Sequence, residues 1–335
     1  MLPSLRNAYL IRGERLSMET WIITDGKVGT EKQCLALAEL LGVKAKVKRI
    51  SARFPWSVLP PVLWLNSLEA LDVQSKEQLV EPWPDLVIGA SRLAAAPVAF
   101  LKKKLGKKMT TIFLQNPHLN LNAFDVVIAP QHDGLSGKNL ITIQGALHNV
   151  TPSLLKKEGI KWARILPKDF PRPWVTILLG GNSRHHTMDL DTMEYYGSEL
   201  RHLVQRNPMS FLITASRRTP PEAVQAFKTA LGDSHVFLWN GLGDNPYYGF
   251  LALGDFILVT NDSVSMLSEA ASVGKPLYTL NLEGGSRRLD KFQEDLMAQG
   301  ICRPFEGELE TWDTKPVDAQ ATLLQQLKKK IKVLT

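Results

Sequence analysis

The chain has 335 residues, of which 44% are hydrophobic and 22% charged, with 40 Lys+Arg against 33 Asp+Glu. At roughly 150 residues per domain this is enough for two domains with substantial cores, and the composition excludes a disordered tail or a disulfide-dense miniprotein. Cys34 and Cys302 lack the spacing of a zinc site and point to a reducing, cytoplasmic compartment, while no apolar run approaches the ~20 residues of a membrane span.

The charge is uneven. Residues 1–170 hold 23 Lys+Arg and 14 Asp+Glu, net +9, whereas residues 171–335 hold 17 and 19, net −2. A local cluster, Lys102, Lys103, Lys104, Lys107 and Lys108, makes the first half a candidate for a peripheral contact with an anionic membrane at its inner face; an ordinary lysine-rich surface is the alternative. No helix-turn-helix pattern, zinc finger or aromatic-studded basic motif is present, so nucleic acid is not an expected partner.

Residues 1–20 read as an N-terminal extension. They hold three arginines but no continuous apolar core or small-residue cleavage site, so an export signal is not expected, and Met18 is an alternative start. From Trp21 short apolar runs alternate with helical segments, the rhythm of parallel strands joined by crossover helices. Expected strands are Trp21–Thr24, Lys46–Ile50, Asp85–Gly89, Thr110–Gln115, Val126–Ala129 and Leu140–Thr142. Helices are expected over Glu31–Leu41, stopped by Gly42, and from Ser91 onward. The intervening Phe54–Trp64, with Pro55, Pro60 and Pro61, cannot be one long helix and reads as a mobile or acceptor-facing surface.

A polar helix over Thr151–Lys168 leads to a connector stiffened by Pro167, Pro171 and Pro173, which places the domain boundary at 165/166. The rhythm then repeats, with strands at Trp174–Gly180, Ser210–Thr214, His235–Leu238, Phe256–Val259 and Leu277–Leu280, and helices at Met188–Arg206, Pro221–Leu231 and Ser263–Val273. Residues 316–335 contain an amphipathic helix, Ala319–Val333, read as a packing helix in preference to a membrane anchor.

In open parallel sheets ligands sit beyond the carboxyl ends of the strands, so the residues after each strand are the candidates. Asp25-Gly26-Lys27-Val28-Gly29 follows the first strand and opens a helix, where N–H groups favour an anion; it is not a phosphate loop of the GxxxxGK type, and Asp25 could equally cap the helix. His132 and Asp133, between Pro130 and Gly134, could serve as bases or only shape a turn. Gly180, Gly181, Asn182, Ser183 and Arg184 can approach and donate to phosphate oxygens, although a plain turn explains the glycines too, and the adjacent His185 and His186 are a poor metal pair. Asp262 or Ser263 can cap a helix carrying Met266 and Glu269, which suits phosphates at its start and a ribose at the carboxylate, although a capped helix that only packs through Met266 and Ala270 fits the local chemistry equally. Trp239 and Asn240 are placed to meet a base, and Ser216 and Arg217 a phosphate, unless all four are merely surface.

Taken together, Asp25-Gly26-Lys27-Val28-Gly29…Gln33, Gln131-His132-Asp133-Gly134, Gly180-Gly181-Asn182, Asp244-Asn245-Pro246-Tyr247 and Thr260-Asn261-Asp262-Ser263-Val264-Ser265-Met266…Glu269…Gly274-Lys275-Pro276 resemble the mitochondrial-fission Elm-type family, in matching order from about Trp21 to Phe305. The resemblance implies an α/β fold of two Rossmann-like parallel-sheet domains facing across a cleft, as in GT-B glycosyltransferases. It implies a nucleotide-sugar donor surrounded by Ser216, Trp239, Asn240, Asp262, Ser263 and Glu269, with Gly180 and Gly181 facing the cleft; Asn182, Arg184, Arg217 and Met266 join these as donor-binding candidates by their position in the same loops. An unidentified, cell-envelope-type acceptor would meet Asp25, Lys27, His132 and Asp133 as catalytic candidates. The donor is a substrate, and neither a cofactor nor a metal is expected. The alternative implied by the plant branch of that family is a non-catalytic, membrane-associated adaptor that recruits a dynamin-like protein.

Overall fold

The computed structural model describes residues 18–64, 67–317 and 319–331. Residues 1–17 of the N-terminal extension and Val333 of the last helix therefore lie outside the described residues. Two compact units emerge: Met1–Asn149 with Asp318–Thr335, and Val150–Val317.

In the first unit, β1 (Thr20–Thr24) runs into α1 (Val28–Leu41), then β2 (Ala45–Arg49), the short α2 (Val73–Glu77), β3 (Leu86–Ala90), α3 (Arg92–Leu105), β4 (Thr110–Leu114), β5 (Val126–Pro130) and β6 (Leu140–Ile143). The strands form one parallel sheet in the order β2-β1-β3-β4-β5-β6. Central strands buried on both faces read as unbroken apolar runs, and β3 (LVIGA) is fully buried. The edge strand β2 (AKVKR) alternates instead, its lysines discouraging further strand pairing. One face packs Ile22, Leu37 and Ile88, and the other packs Ile23, Val87, Val98 and Phe113. Gly42 ends α1 with φ +70°, its N–H reaching the carbonyls of Ala38 and Glu39.

The second unit opens with α4 (Pro152–Ile165), capped by Thr151, and continues through β7 (Trp174–Leu179), β8 (His186–Thr187), α5 (Leu190–Arg206), β9 (Ser210–Ala215), α6 (Pro221–Leu231), β10 (Val236–Leu238), α7 (Tyr247–Leu253), β11 (Phe256–Thr260), α8 (Val264–Ala271), β12 (Leu277–Leu280), β13 (Glu283–Gly284), α9 (Arg287–Ala298) and β14 (Cys302–Pro304). Its parallel sheet has the order β10-β9-β7-β11-β12-β14, with a small antiparallel pair of β8 and β13.

The chain then returns. Helix α10 (Ala319–Lys330) packs on α1 and β6 of the first unit, burying Leu323 and Leu327 at i, i+4 spacing, with Ile331 just past its end in the same core. Two boundaries thus differ from expectation. The first lies between Asn149 and Val150 and not at 165/166, because α4 packs against α7: Trp162 meets Phe250 at 5.8 Å and Phe237 at 6.3 Å. The prolines at 167, 171 and 173 shape the link from α4 to β7 inside one unit. The second difference is that the terminal helix is part of the first unit's core.

Leu327→Ala is expected to destabilise the first unit by about 2–5 kcal/mol, since Leu327 is fully buried and its removal leaves a cavity. Calorimetry should show a melting temperature several degrees lower; an unchanged melt would contradict the docking of α10.

Candidate functional site

In each unit the direction of winding reverses at one gap between neighbouring strands, and that switch point leaves a crevice at the carboxyl edge. In the first unit it lies between β1 and β3, and in the second between β7 and β11. The Asp25 loop follows β1, Gly180 follows β7 and Asp262 follows β11, so the sequence candidates fall at both switch points.

The second unit's site is built as a lock around Gly180 and Gly181. The Gly180 N–H donates to Thr260 Oγ1 at 2.7 Å, and that hydroxyl donates in turn to Asp262 Oδ1 at 2.6 Å. The Gly181 N–H reaches Asp262 Oδ2 at 3.2 Å, and the same oxygen accepts from the Arg218 guanidinium at 2.6 Å. The Asp262 side chain has no exposed surface, so this charge-assisted pair is shielded at its acidic end. Ser216 and Thr219 both donate to the Gly180 carbonyl, and the Asn182 N–H donates to the Arg218 carbonyl at 3.1 Å. A Cβ at Gly180 would overlap the Asp262 carboxylate, and one at Gly181, where φ is +146°, would overlap the Arg218 backbone.

These contacts redistribute the expected roles. Asp262 and Ser216 hold the glycine loop, and Asn182 Oδ1 accepts from the Met188 N–H at 2.7 Å. Of the two adjacent arginines, Arg218 joins the lock while Arg217 and Arg184 are exposed. Ser263 caps α8, its hydroxyl accepting from the Met266 N–H at 3.4 Å, and Met266 packs partly buried against the neighbouring core. Glu269, two turns into α8, accepts from the Tyr247 hydroxyl at 2.5 Å. Burial, and after it the Glu269 carboxylate, push the Tyr247 phenol well above its ordinary range, which keeps it a donor.

Trp239 and Asn240 follow β10, about two strand spacings (~10 Å) from β7. They close their own loop, the indole N–H reaching the Leu242 carbonyl at 2.9 Å and Asn240 Oδ1 accepting from the Leu242 N–H at 3.0 Å, with Leu242 exposed. Lys275 has a structural task. Its ammonium donates to the carbonyls of Ala252 and Gly254 at the end of α7, both at 2.6 Å, and burial lowers it to about 8. His185 is exposed and His186 buried, and among the described residues no three His, Cys, Asp or Glu side chains are grouped to hold a metal ion.

In the first unit Asp25 is nearly buried and pairs with the exposed Lys27 ammonium at 3.0 Å, while its other oxygen accepts from the Lys27 N–H at 3.4 Å. The turn Gln131–Asp133 follows β5, three strand spacings (~14 Å) along the sheet edge from β1, so Asp25 and Asp133 do not form a pair. Asp133 is half-buried; the His132 side chain lies outside the described residues. Between them stand residues that sequence reasoning missed. Ser91 (φ 87°) and Gln115 (φ 72°) hold left-handed backbone at the ends of β3 and β4, and Gln115 Nε2 donates to Gln33 Oε1 at 3.4 Å. The Thr24 and Ser91 hydroxyls are buried with no hydrogen-bond partner. Serine at a helix start was the one available signal, and Ser91 does not cap α3.

Two parallel-sheet α/β units with loaded carboxyl edges define the GT-B-like class. The chain aligns with the UDP-GlcNAc 2-epimerase of Methanocaldococcus jannaschii over 93% of its own length and 100% of that chain, at 11% identity and a TM-score of 0.58, a likeness of fold. Residues 28–331 match the model of the family described as Mitochondrial fission ELM1, and the chain belongs to that family. It is 27% identical to Mitochondrial fission protein ELM1 of Arabidopsis thaliana over 74% of this chain, spanning 64%, or less than two thirds, of that relative. It is also 27% identical to an uncharacterized protein of Rickettsia prowazekii, over 94% of this chain and 99% of the relative.

Proposed function

We propose that this chain is a metal-independent glycosyltransferase that takes a sugar from a nucleotide-sugar donor bound by the second unit. The observation carrying this reading is the lock of Gly180, Gly181, Arg218, Thr260 and Asp262, which fixes the start of α8 beside a glycine loop at the switch point. The first turn of a helix leaves N–H groups without intrahelical partners, a setting for a diphosphate that the exposed Arg184 and Arg217 would supplement. Glu269, six residues further at ~1.5 Å per residue, stands ~9 Å along the axis, a distance that a nucleoside diphosphate bridges, and its carboxylate suits ribose hydroxyls. Trp239 and Asn240 would meet the base.

The acceptor hydroxyl would be deprotonated by Asp25, which the Lys27 ammonium meets at 3.0 Å, or by Asp133, with His132 as a further base. As the bond to the sugar C1 forms, the bond to the diphosphate breaks, and helix N–H groups with Arg184 would take up the leaving charge. We place the protein in the cytoplasm, where its free, buried Cys34 and Cys302 stay reduced, and at the inner face of an anionic membrane. Among the described residues no helix is long and apolar enough to cross one. The first unit, with 22 Lys+Arg against 13 Asp+Glu, carries +9, which supports that contact.

Thermal-shift binding of UDP-, GDP-, CMP- and ADP-sugars tests the donor. One nucleotide class should raise the melting temperature, and Glu269→Gln should weaken that binding at least tenfold; no shift with any nucleotide sinks the reading. Product analysis then separates transfer, which frees the nucleotide, from epimerisation, which leaves the nucleotide-sugar intact. Membership of the ELM1 family favours a second reading, a non-catalytic membrane adaptor, which requires membrane binding with no donor binding.

A further inference from the structure

Between β2 and β3 the first unit carries a proline-stiffened loop that presents apolar side chains to solvent. Phe54 is 82% exposed, Val62 68%, Val58 67% and Leu63 51%, all within ten residues. The loop nevertheless has a built interior. Its base is closed by the Arg53 N–H to the Ala70 carbonyl at 2.9 Å and the Asp72 N–H to the Ser51 carbonyl at 3.1 Å. Inside, Trp64 is buried, donates from its indole to the Leu59 carbonyl at 3.3 Å and meets the Trp56 ring edge-on at 6.5 Å. From beneath, the Arg92 guanidinium donates to the carbonyls of Ser57 and Leu59. Pro55, Pro60 and Pro61 restrict the backbone further.

A loop tied by its backbone and its two tryptophans could have turned the remaining apolar groups inward, yet four of them stand clear of their neighbours. Phe54, Val58 and Val62, each about two thirds exposed or more, have no groove walls around them, and Leu63 is half exposed beside them, a geometry that suits a deformable hydrocarbon layer better than a rigid protein pocket. Arg53, exposed at the start of the loop, matches the phosphates of a headgroup layer, whereas Arg49 is held by the Glu31 carboxylate at 2.7 and 2.8 Å; the unit's +9 complements an anionic surface. The position also matters. Arg92, which anchors the loop, follows Ser91 at the carboxyl end of β3, so the loop rises from the strand edge that carries Asp25 and Lys27.

We propose that residues 54–63 form a membrane-insertion loop that dips Phe54, Val58, Val62 and Leu63 into an anionic bilayer and sets the first unit's strand edge at headgroup level. Resting on the transferase reading above, this makes the acceptor a hydroxyl carried by a membrane lipid. The lysine cluster from Lys102 to Lys108 lies at the far end of α3, ~20 Å away by helix length, and contributes long-range attraction instead of insertion.

The test is co-sedimentation of the full chain with vesicles of zwitterionic lipid alone and with about one third anionic lipid. The wild type should bind the anionic vesicles, and Phe54→Asp with Val62→Asp should lower the partition coefficient at least tenfold while near-ultraviolet circular dichroism stays unchanged. Ile160→Asp, at a half-exposed apolar site on α4, should bind like the wild type. Equal, salt-sensitive binding by the wild type and the double variant would overturn the insertion loop and leave a purely electrostatic membrane contact. No binding to any vesicle would overturn both. A wild-type oligomer that the double variant dissociates, without vesicle binding, would make the loop a protein interface and overturn the proposal. Donor binding, read separately by thermal shift, should be the same in wild type and double variant, so a failed donor screen removes the lipid acceptor without touching insertion.

Discussion

Gly180→Ala is expected to lower the stability of the second unit by about 3 kcal/mol and to remove the nucleotide-sugar binding proposed above. The new methyl would occupy the space of the Asp262 carboxylate, and neither partner can yield easily. Asp262 is held by the Gly181 N–H, Thr260 and Arg218, while the Gly180 carbonyl is held by Ser216 and Thr219. Overpacking of this kind costs about 1–3 kcal/mol, and displacing a buried, charge-assisted acceptor adds a similar amount. Because the loop and the start of α8 share that carboxylate, the strain moves both sides of the crevice. Thermal melts with and without donor measure the two effects together. A variant that melts and binds like the wild type would show that the close approach at Gly180 is not needed.

Asp262→Ala removes the hub from the other side. It strips an acceptor from the Gly181 N–H, from the Thr260 hydroxyl and from Arg218 at once. Breaking a buried ion pair costs about 3–5 kcal/mol, but Arg218 is 41% exposed and can turn to water, so a loss of about 2–4 kcal/mol is expected. Asp262→Asn, which keeps the shape, should lose about half as much. Combining Arg218→Ala with Asp262→Ala should cost less than the sum of the single changes by about 1 kcal/mol or more, since both delete one interaction. Strict additivity in denaturant titrations would contradict the coupling.

The strand rhythm was legible because the central strands are runs of apolar residues, unbroken in β3 and up to Val259 in β11, and several helix ends carry local chemistry, such as Gly42 after α1 and Ser263 before α8. Helix α7 was not legible: Tyr247–Leu253 has no polar face, and seven mostly apolar residues after Asn245-Pro246 look like an aromatic loop until α4 covers them. Helix α9 carried a readable stripe, Leu289, Phe292 and Leu296, obscured by its surrounding charges. At the site, the strand-end rule located Asp25, Gly180 and Asp262. It could not choose between Arg217 and Arg218, because the direction of a side chain in a turn depends on backbone geometry that spacing does not encode. Ser91 and Gln115 went unseen for the same reason, as neither residue type announces a positive φ. The domain boundary was misplaced because prolines mark stiffness, and stiffness occurs inside units as well as between them.

The return of α10 to the first unit changes how the chain can be divided. Residues 150–317 are a guest inserted into a host whose two ends belong together, joined to it by two covalent links, one at each boundary. The guest holds its six-stranded sheet and both faces of its core on one continuous stretch, so the second unit is separable by two cuts. The host is not: a fragment ending before residue 318 looks like the loss of a tail, yet it uncovers Leu37 and Leu41 where Leu323 and Leu327 had closed the core.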